Sequence, residues 1–167
     1  MTKSFAYVGP PQLLAHARTS PPGTPIATRA DAVAWFAAHG RQEAGWATYV
    51  VDDVGTFRVA PRRSEHVACA GGASVQAAGE LRFDATGGVH EVSNNSTGYC
   101  PREDCWEALR VALDNAGVPR PEGFTFVAVF RRCPSCGERN LVKEHWYVCA
   151  LCDASLPQRW NFDPEDT

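Results

Sequence analysis

Hydrophobic positions along the chain shift between helical and strand-like spacing. Val33, Trp35, Phe36 and Ala37 fall among helix formers and predict a helix over residues 29–39, with apolar residues on more than half its circumference. Thr28 and Asp31 have capping-box spacing at its start, and Gly40 stands where a left-handed C-cap would close it. From Trp46 the period changes. Ala47-Thr48-Tyr49-Val50-Val51 and Thr56-Phe57-Arg58-Val59-Ala60 are β-rich runs joined by turn residues, a hairpin ended by Pro61. A second hairpin is predicted from residues 75–83 and 89–92, with Leu81, Phe83, Val89 and Val92 offering an apolar face. Trp106, Leu109 and Leu113 then mark one face of the best helix in the chain. It opens beside Glu103 and Asp104, where the dipole favours carboxylates, and stops at Asn115-Ala116-Gly117. Residues 124–130, Phe-Thr-Phe-Val-Ala-Val-Phe, read as a central strand.

The order helix, hairpin, hairpin, helix, strand predicts an α+β fold: a mainly antiparallel sheet with one or two covering helices over residues 28–130. Before it, residues 1–27 are broken by Pro10-Pro11, Pro21-Pro22 and Pro25, which predicts an irregular arm with room for one short helix. Residues 62–73 read as a polar loop carrying His66, Cys69 and Gly71-Gly72. After the domain come a cysteine-rich segment at 131–157 and a tail at 158–167.

Composition narrows the class. A chain of 167 residues with 44% hydrophobic and 21% charged residues has the make-up of one soluble domain. No run approaches the ~18 apolar residues of a membrane span. Pro10-Pro11 interrupts any signal-peptide core, so a cytoplasmic location is expected. A net charge of -3 argues against a general nucleic-acid or membrane-surface binder. Ile occurs once (Ile26) and Lys twice (Lys3, Lys143) while Arg and Ala abound, the usage expected of a GC-rich bacterial genome.

Seven cysteines are an odd number for a closed disulfide set, and in a reducing compartment paired cysteines point to metal or catalysis. Cys133-Pro-Ser-Cys136-Gly137 is followed twelve residues later by Cys149-Ala-Leu-Cys152. Each turn can aim two thiolates at one point, and two such turns at the ends of a hairpin built from 140–148 make the S4 cage that structural Zn²⁺ prefers. A redox pair would open a helix inside a βαβ unit, whereas Cys133 follows a strand. Residues 131–157 resemble the zinc-ribbon class, and the resemblance implies Cys133, Cys136, Cys149 and Cys152 as ligands of one structural zinc ion. The cage is full, so the metal is expected to fold the segment and not to catalyse. Arg131, Arg132, Arg139, Lys143 and Arg159 surround it with Trp146, Tyr147 and Trp160, but residues 131–167 carry five positive and six negative charges, the balance of a solvated rim.

Cys69, Cys100 and Cys105 remain. They are either buried and inert, or a second zinc site with His66, or a nucleophile with His66 or His90 as base. A deaminase site is excluded because the His-x-Glu partner of Pro-Cys-x-x-Cys is missing.

Ala78-Gly79, the second hairpin, Ser96-Thr97-Gly98-Tyr99-Cys100-Pro101 and the following helix carry a further likeness. Over residues 66–116 the chain resembles the Ser-Gly-His-Tyr-x-Pro module of plant IQ-motif calmodulin-binding proteins and bacterial effector-like proteins. Ser96, Tyr99 and Pro101 match, Thr97-Gly98 replaces the family's Gly-His pair, and no IQ motif is present. The resemblance implies a fold element. The polar run 93–97 either binds an anion at the helix start or makes Asx turns and a cap. Two functions fit. The leading one is a zinc-binding, binding or regulatory module with a protein partner in a bacterial assembly. The other is a small effector-like or group-transferring enzyme with a site near residues 71–72 and 93–99, for which Tyr99, Glu80 and Glu91 are the catalytic candidates.

Overall fold

The computed structural model describes residues 2–163, so Met1 and residues 164–167 of the expected tail lie outside the described residues. The elements run α1 (Pro11–Ala17), β1 (Thr24–Pro25), α2 (Arg29–Trp35), β2 (Trp46–Asp52), β3 (Phe57–Pro61), α3 (His66–Cys69), β4 (Val75–Phe83), β5 (Val89–Val92), α4 (Trp106–Asn115), β6 (Val129–Arg132) and β7 (Arg139–Val142). Strands β1 to β5 make one antiparallel sheet in the order β1-β3-β2-β4-β5, and β6 pairs with β7 in a separate two-stranded sheet. The fold is α+β.

Both expected hairpins are present, with Tyr49 opposite Val59 in the first and Leu81 opposite Val92 in the second. In β2 every residue from Ala47 to Asp52 is buried. Successive side chains point to opposite faces, so burial at both parities requires cover on both sides of the sheet. Helix α4 packs on β2, β3 and β4, while α3 packs on β2 and β3 with α1 laid over it. The N-terminal arm therefore contributes to the core: Ala17 is buried, and buried Phe5 bridges to Val75 with reciprocal backbone hydrogen bonds of 2.7 and 3.0 Å.

One local expectation holds and two change. The capping box of α2 is formed, with the Asp31 amide 3.2 Å from Thr28 Oγ1 and the Thr28 amide 2.9 Å from the Asp31 carboxylate. The helix does not close on a left-handed Gly40, however. Residues Phe36–Gly40 widen into a π turn, and the left-handed backbone falls later, at Ala44 and Gly45. Within the loop expected at 62–73 lies the short helix α3.

Residues 124–130 are not a central strand. Phe126 makes one isolated parallel bridge to Ser93, and Phe126 and Val127 are 54% and 48% exposed. Regular pairing starts at Val129 and belongs to the second sheet. The reason is the path of residues 93–94, which leave β5 and cross over β4 at Gly79. A Cβ on Gly79 would stand 2.0 Å from the Ser93 carbonyl oxygen, so only glycine allows the crossing. The buried Tyr49 hydroxyl donates to that same carbonyl (2.7 Å). Next to it, fully buried Asn94 accepts from the Ala128 amide (2.6 Å) and donates to the Ala128 carbonyl (2.9 Å), tying the large sheet to the chain that enters β6.

Candidate metal centre

Two turns of the same construction carry the four C-terminal cysteines. In the first, the Cys133 amide donates to the Glu138 carbonyl (2.8 Å) and the Gly137 amide to the Cys133 carbonyl (2.9 Å); in the second, the Cys149 amide donates to Ala154 (2.8 Å) and the Asp153 amide to Cys149 (3.0 Å). Gly137 and Asp153, each four residues after the leading cysteine, are both left-handed, at φ 80° and 63°. The hairpin differs from the expected one. Its turn, between β6 and β7, holds Cys133 and Cys136, and residues 140–148 supply only one of its strands. The chain then reverses at residues 143–146 through left-handed Glu144 and His145, with the Trp146 amide on the Lys143 carbonyl (3.0 Å). A bridge between Val148 and Ser155 closes the second turn.

The four sulfur atoms lie within 4.8 Å of one another. Across the turns Cys133 Sγ is 3.5 Å from Cys152 Sγ, and Cys136 Sγ is 3.6 Å from Cys149 Sγ. A tetrahedral S4 site with metal–sulfur bonds of about 2.3 Å has sulfur–sulfur edges of about 3.8 Å. The four cysteines therefore fit one metal ion. Cys133 and Cys149 form the buried side of the cage, while Cys136 and Cys152 face solvent.

Hydrogen bonds prepare the buried sulfurs for the thiolate form. The Cys136 amide donates to Cys133 Sγ (3.5 Å) and lowers the Cys133 pKa. Desolvation raises the Cys149 thiol, but donation from Asn140 Nδ2 and from nearby amides brings it down to about 6. At Cys136 a backbone hydrogen bond lowers the pKa, and desolvation together with the three neighbouring sulfurs outweighs it, pushing the thiol up to about 12. Thiols this close cannot all ionise without a cation between them.

The remaining cysteines lie apart from this cage. Cys69, Cys100 and Cys105 are buried, and burial pushes the first two thiols up to about 12 and raises the third as well. His66 Nε2 donates to the Gly79 carbonyl (2.8 Å), and burial lowers the ring's pKa to about 4, so it is neutral. Among the described residues no second group of three His, Cys, Asp or Glu side chains is placed to share an ion.

The three catalytic candidates have separate partners. The Tyr99 hydroxyl donates to the Ala73 carbonyl (2.6 Å), and burial of the ring raises its pKa. Glu80 lies 3.5 Å from Arg62, and Glu91 3.2 Å from Arg82. The polar run near Tyr99 is used internally: Ser93 Oγ accepts from the Asn95 amide (3.2 Å), and Ser96 Oγ from the Tyr99 amide (3.4 Å). Beside Tyr99 lies a cavity of about 450 Å³, lined also by Phe5, Val8, Arg132, Trp160 and Phe162.

Three buried polar residues that tie separate segments of the chain together escaped sequence reasoning: Asn94, Asn140 and Arg131. Arg131 donates to the carbonyls of Phe130 (2.7 Å), Pro157 (3.1 Å) and Gln158 (2.7 Å), pinning the segment after the second turn. Asn161 likewise brackets the Arg132 backbone at 2.8 Å on both its amide and its carbonyl, and Trp160 Nε1 donates to Cys100 (2.8 Å). Polar residues inside apolar runs are the available signal, but sequence does not tell a buried arginine from a rim arginine. No helix among the described residues is long and apolar enough to cross a membrane. Comparison of the chain with family models, with curated proteins and with solved structures finds no match.

Proposed function

We propose that the C-terminal segment is a zinc ribbon and that the protein is a binding or regulatory module acting with a protein partner in a bacterial assembly. The observation that carries this reading is the closed cage of four sulfurs within 4.8 Å of one another. Four thiolates fill a tetrahedral zinc ion, leave no position for water or substrate, and assign the metal to folding. The platform so formed holds Trp146 and Leu151 in solvent, 71% and 69% exposed. Large apolar side chains on a rigid turn are suited to a protein surface. A polyanion is less suited, because Arg131, Arg132 and Arg139 each donate to backbone carbonyls.

A photo-crosslinker placed at the neighbouring exposed position 143 should capture a specific partner in cells, and adding Trp146→Ala with Leu151→Ser should abolish that capture while zinc content and melting temperature stay unchanged. Retention on a polyanion column with steep salt dependence would contradict the reading. The alternative, a small enzyme, draws on the cavity beside Tyr99. Tyr99→Phe should leave partner capture intact if the protein is a module.

A further inference from the structure

Asn140 is buried between the two cysteine turns, 6% exposed. Its Oδ1 accepts the Ala150 amide (2.9 Å), and its Nδ2 donates to the Glu138 carbonyl (3.2 Å) and to Cys149 Sγ (3.4 Å). One side chain thereby links the turn of Cys133 and Cys136 to the turn of Cys149 and Cys152. We infer that Asn140 is a positioning residue of the metal centre, fixing the second turn on the first and supplying a side-chain hydrogen bond to a ligand sulfur. This inference rests on the zinc reading above.

The reason lies in charge. Four thiolates around one divalent zinc ion leave a net charge of about -2 on the cage, which donors to sulfur must compensate. Water can serve Cys136 and Cys152, which are exposed, but not Cys149, which is fully buried. Cys149 Sγ receives two protein donors instead, the Leu151 amide (3.4 Å) and Asn140 Nδ2. The backbone amide comes with any turn of this shape. The asparagine donor is a feature of this sequence, and its oxygen simultaneously holds the Ala150 amide, one residue beyond the ligand.

Asn140→Asp preserves shape and the acceptor for Ala150 while replacing the N–H donor with a carboxylate oxygen against the thiolate. Competition with a chromophoric chelator should show zinc bound roughly 10–100-fold more weakly than in the wild type. Cobalt-substituted protein should keep its tetrahedral spectrum, showing that all four sulfurs still bind. Zinc affinity within twofold of the wild type would overturn the inference. If the variant does not fold, cadmium-113-loaded wild type gives the answer: scalar coupling between the metal and the Asn140 side-chain protons is expected. Coupling confined to the backbone amides of Cys136 and Leu151 would overturn it. Wild-type protein that binds no zinc would refute the zinc reading itself, a distinguishable outcome.

Discussion

Gly79→Ala tests the crossing of residues 93–94 over β4. The added Cβ would meet the Ser93 carbonyl oxygen at 2.0 Å, its carbon at 2.7 Å and Asn94 Cα at 3.0 Å. All three atoms are backbone, so no side-chain rotation relieves the contact and the crossing segment must move. Overpacking of this kind costs about 1–3 kcal/mol. Displacing Ser93 also breaks the buried Tyr49 hydroxyl bond (2.7 Å), worth roughly 1 kcal/mol, and strains the Asn94 bonds to Ala128. The sum is about 2–4 kcal/mol, or a melting temperature lower by roughly 4–16 °C for a chain of this size. Urea denaturation of metal-saturated protein measures it. A double-mutant cycle sharpens the test. Tyr49→Phe should cost about 1 kcal/mol in the wild type and almost nothing in the Gly79→Ala background, because the carbonyl it served has moved. A loss below about 1 kcal/mol, or fully additive effects, would refute the steric account.

Other outcomes follow from the buried polar groups and thiols. Arg131→Met should destabilise by about 3 kcal/mol in chemical denaturation, since three carbonyls lose their donor; Arg131→Lys should restore only part, having no planar fork. His66 is neutral when folded, with a pKa lowered to about 4. The unfolded chain binds a proton at about pH 6.5, so stability is full above that value and falls as pH drops toward 4. Because the ring is part-exposed, the loss is on the order of 1–2 kcal/mol. It should appear as a pH slope present in the wild type and absent from His66→Gln. Cys69, Cys100 and Cys105 should resist alkylation at pH 8 in the folded protein and react only in denaturant. Rapid native labelling at any of them would show a reactive thiol instead.

Local signals in the sequence read well where they are self-sufficient. The Thr28–Asp31 capping box, the two hairpins, helix α4 and the four-cysteine spacing depend on residues close together in the chain, and all are present. Long-range packing was not legible. Residues 124–130 have the composition of a central strand, yet the chain at Ser93–Asn94 leaves β5 to cross over β4 at Gly79, and Phe126 keeps one bridge, to Ser93. The proline-rich arm looked irregular, although Phe5 and Ala17 belong to the core. In the candidate metal centre the four-cysteine cluster was legible and its support was not. Nothing in Asn140-Leu141-Val142 announces that the asparagine side chain spans both turns, because its partners Ala150 and Cys149 are set by the return of the chain.

Native mass spectrometry of protein purified without chelator tests the central claim most directly. The expected result is one zinc ion per chain, lost on Cys133→Ser or Cys149→Ser and retained in Cys69→Ser or Cys105→Ser. Protein that is folded and carries no metal, or that binds two zinc ions, would contradict it.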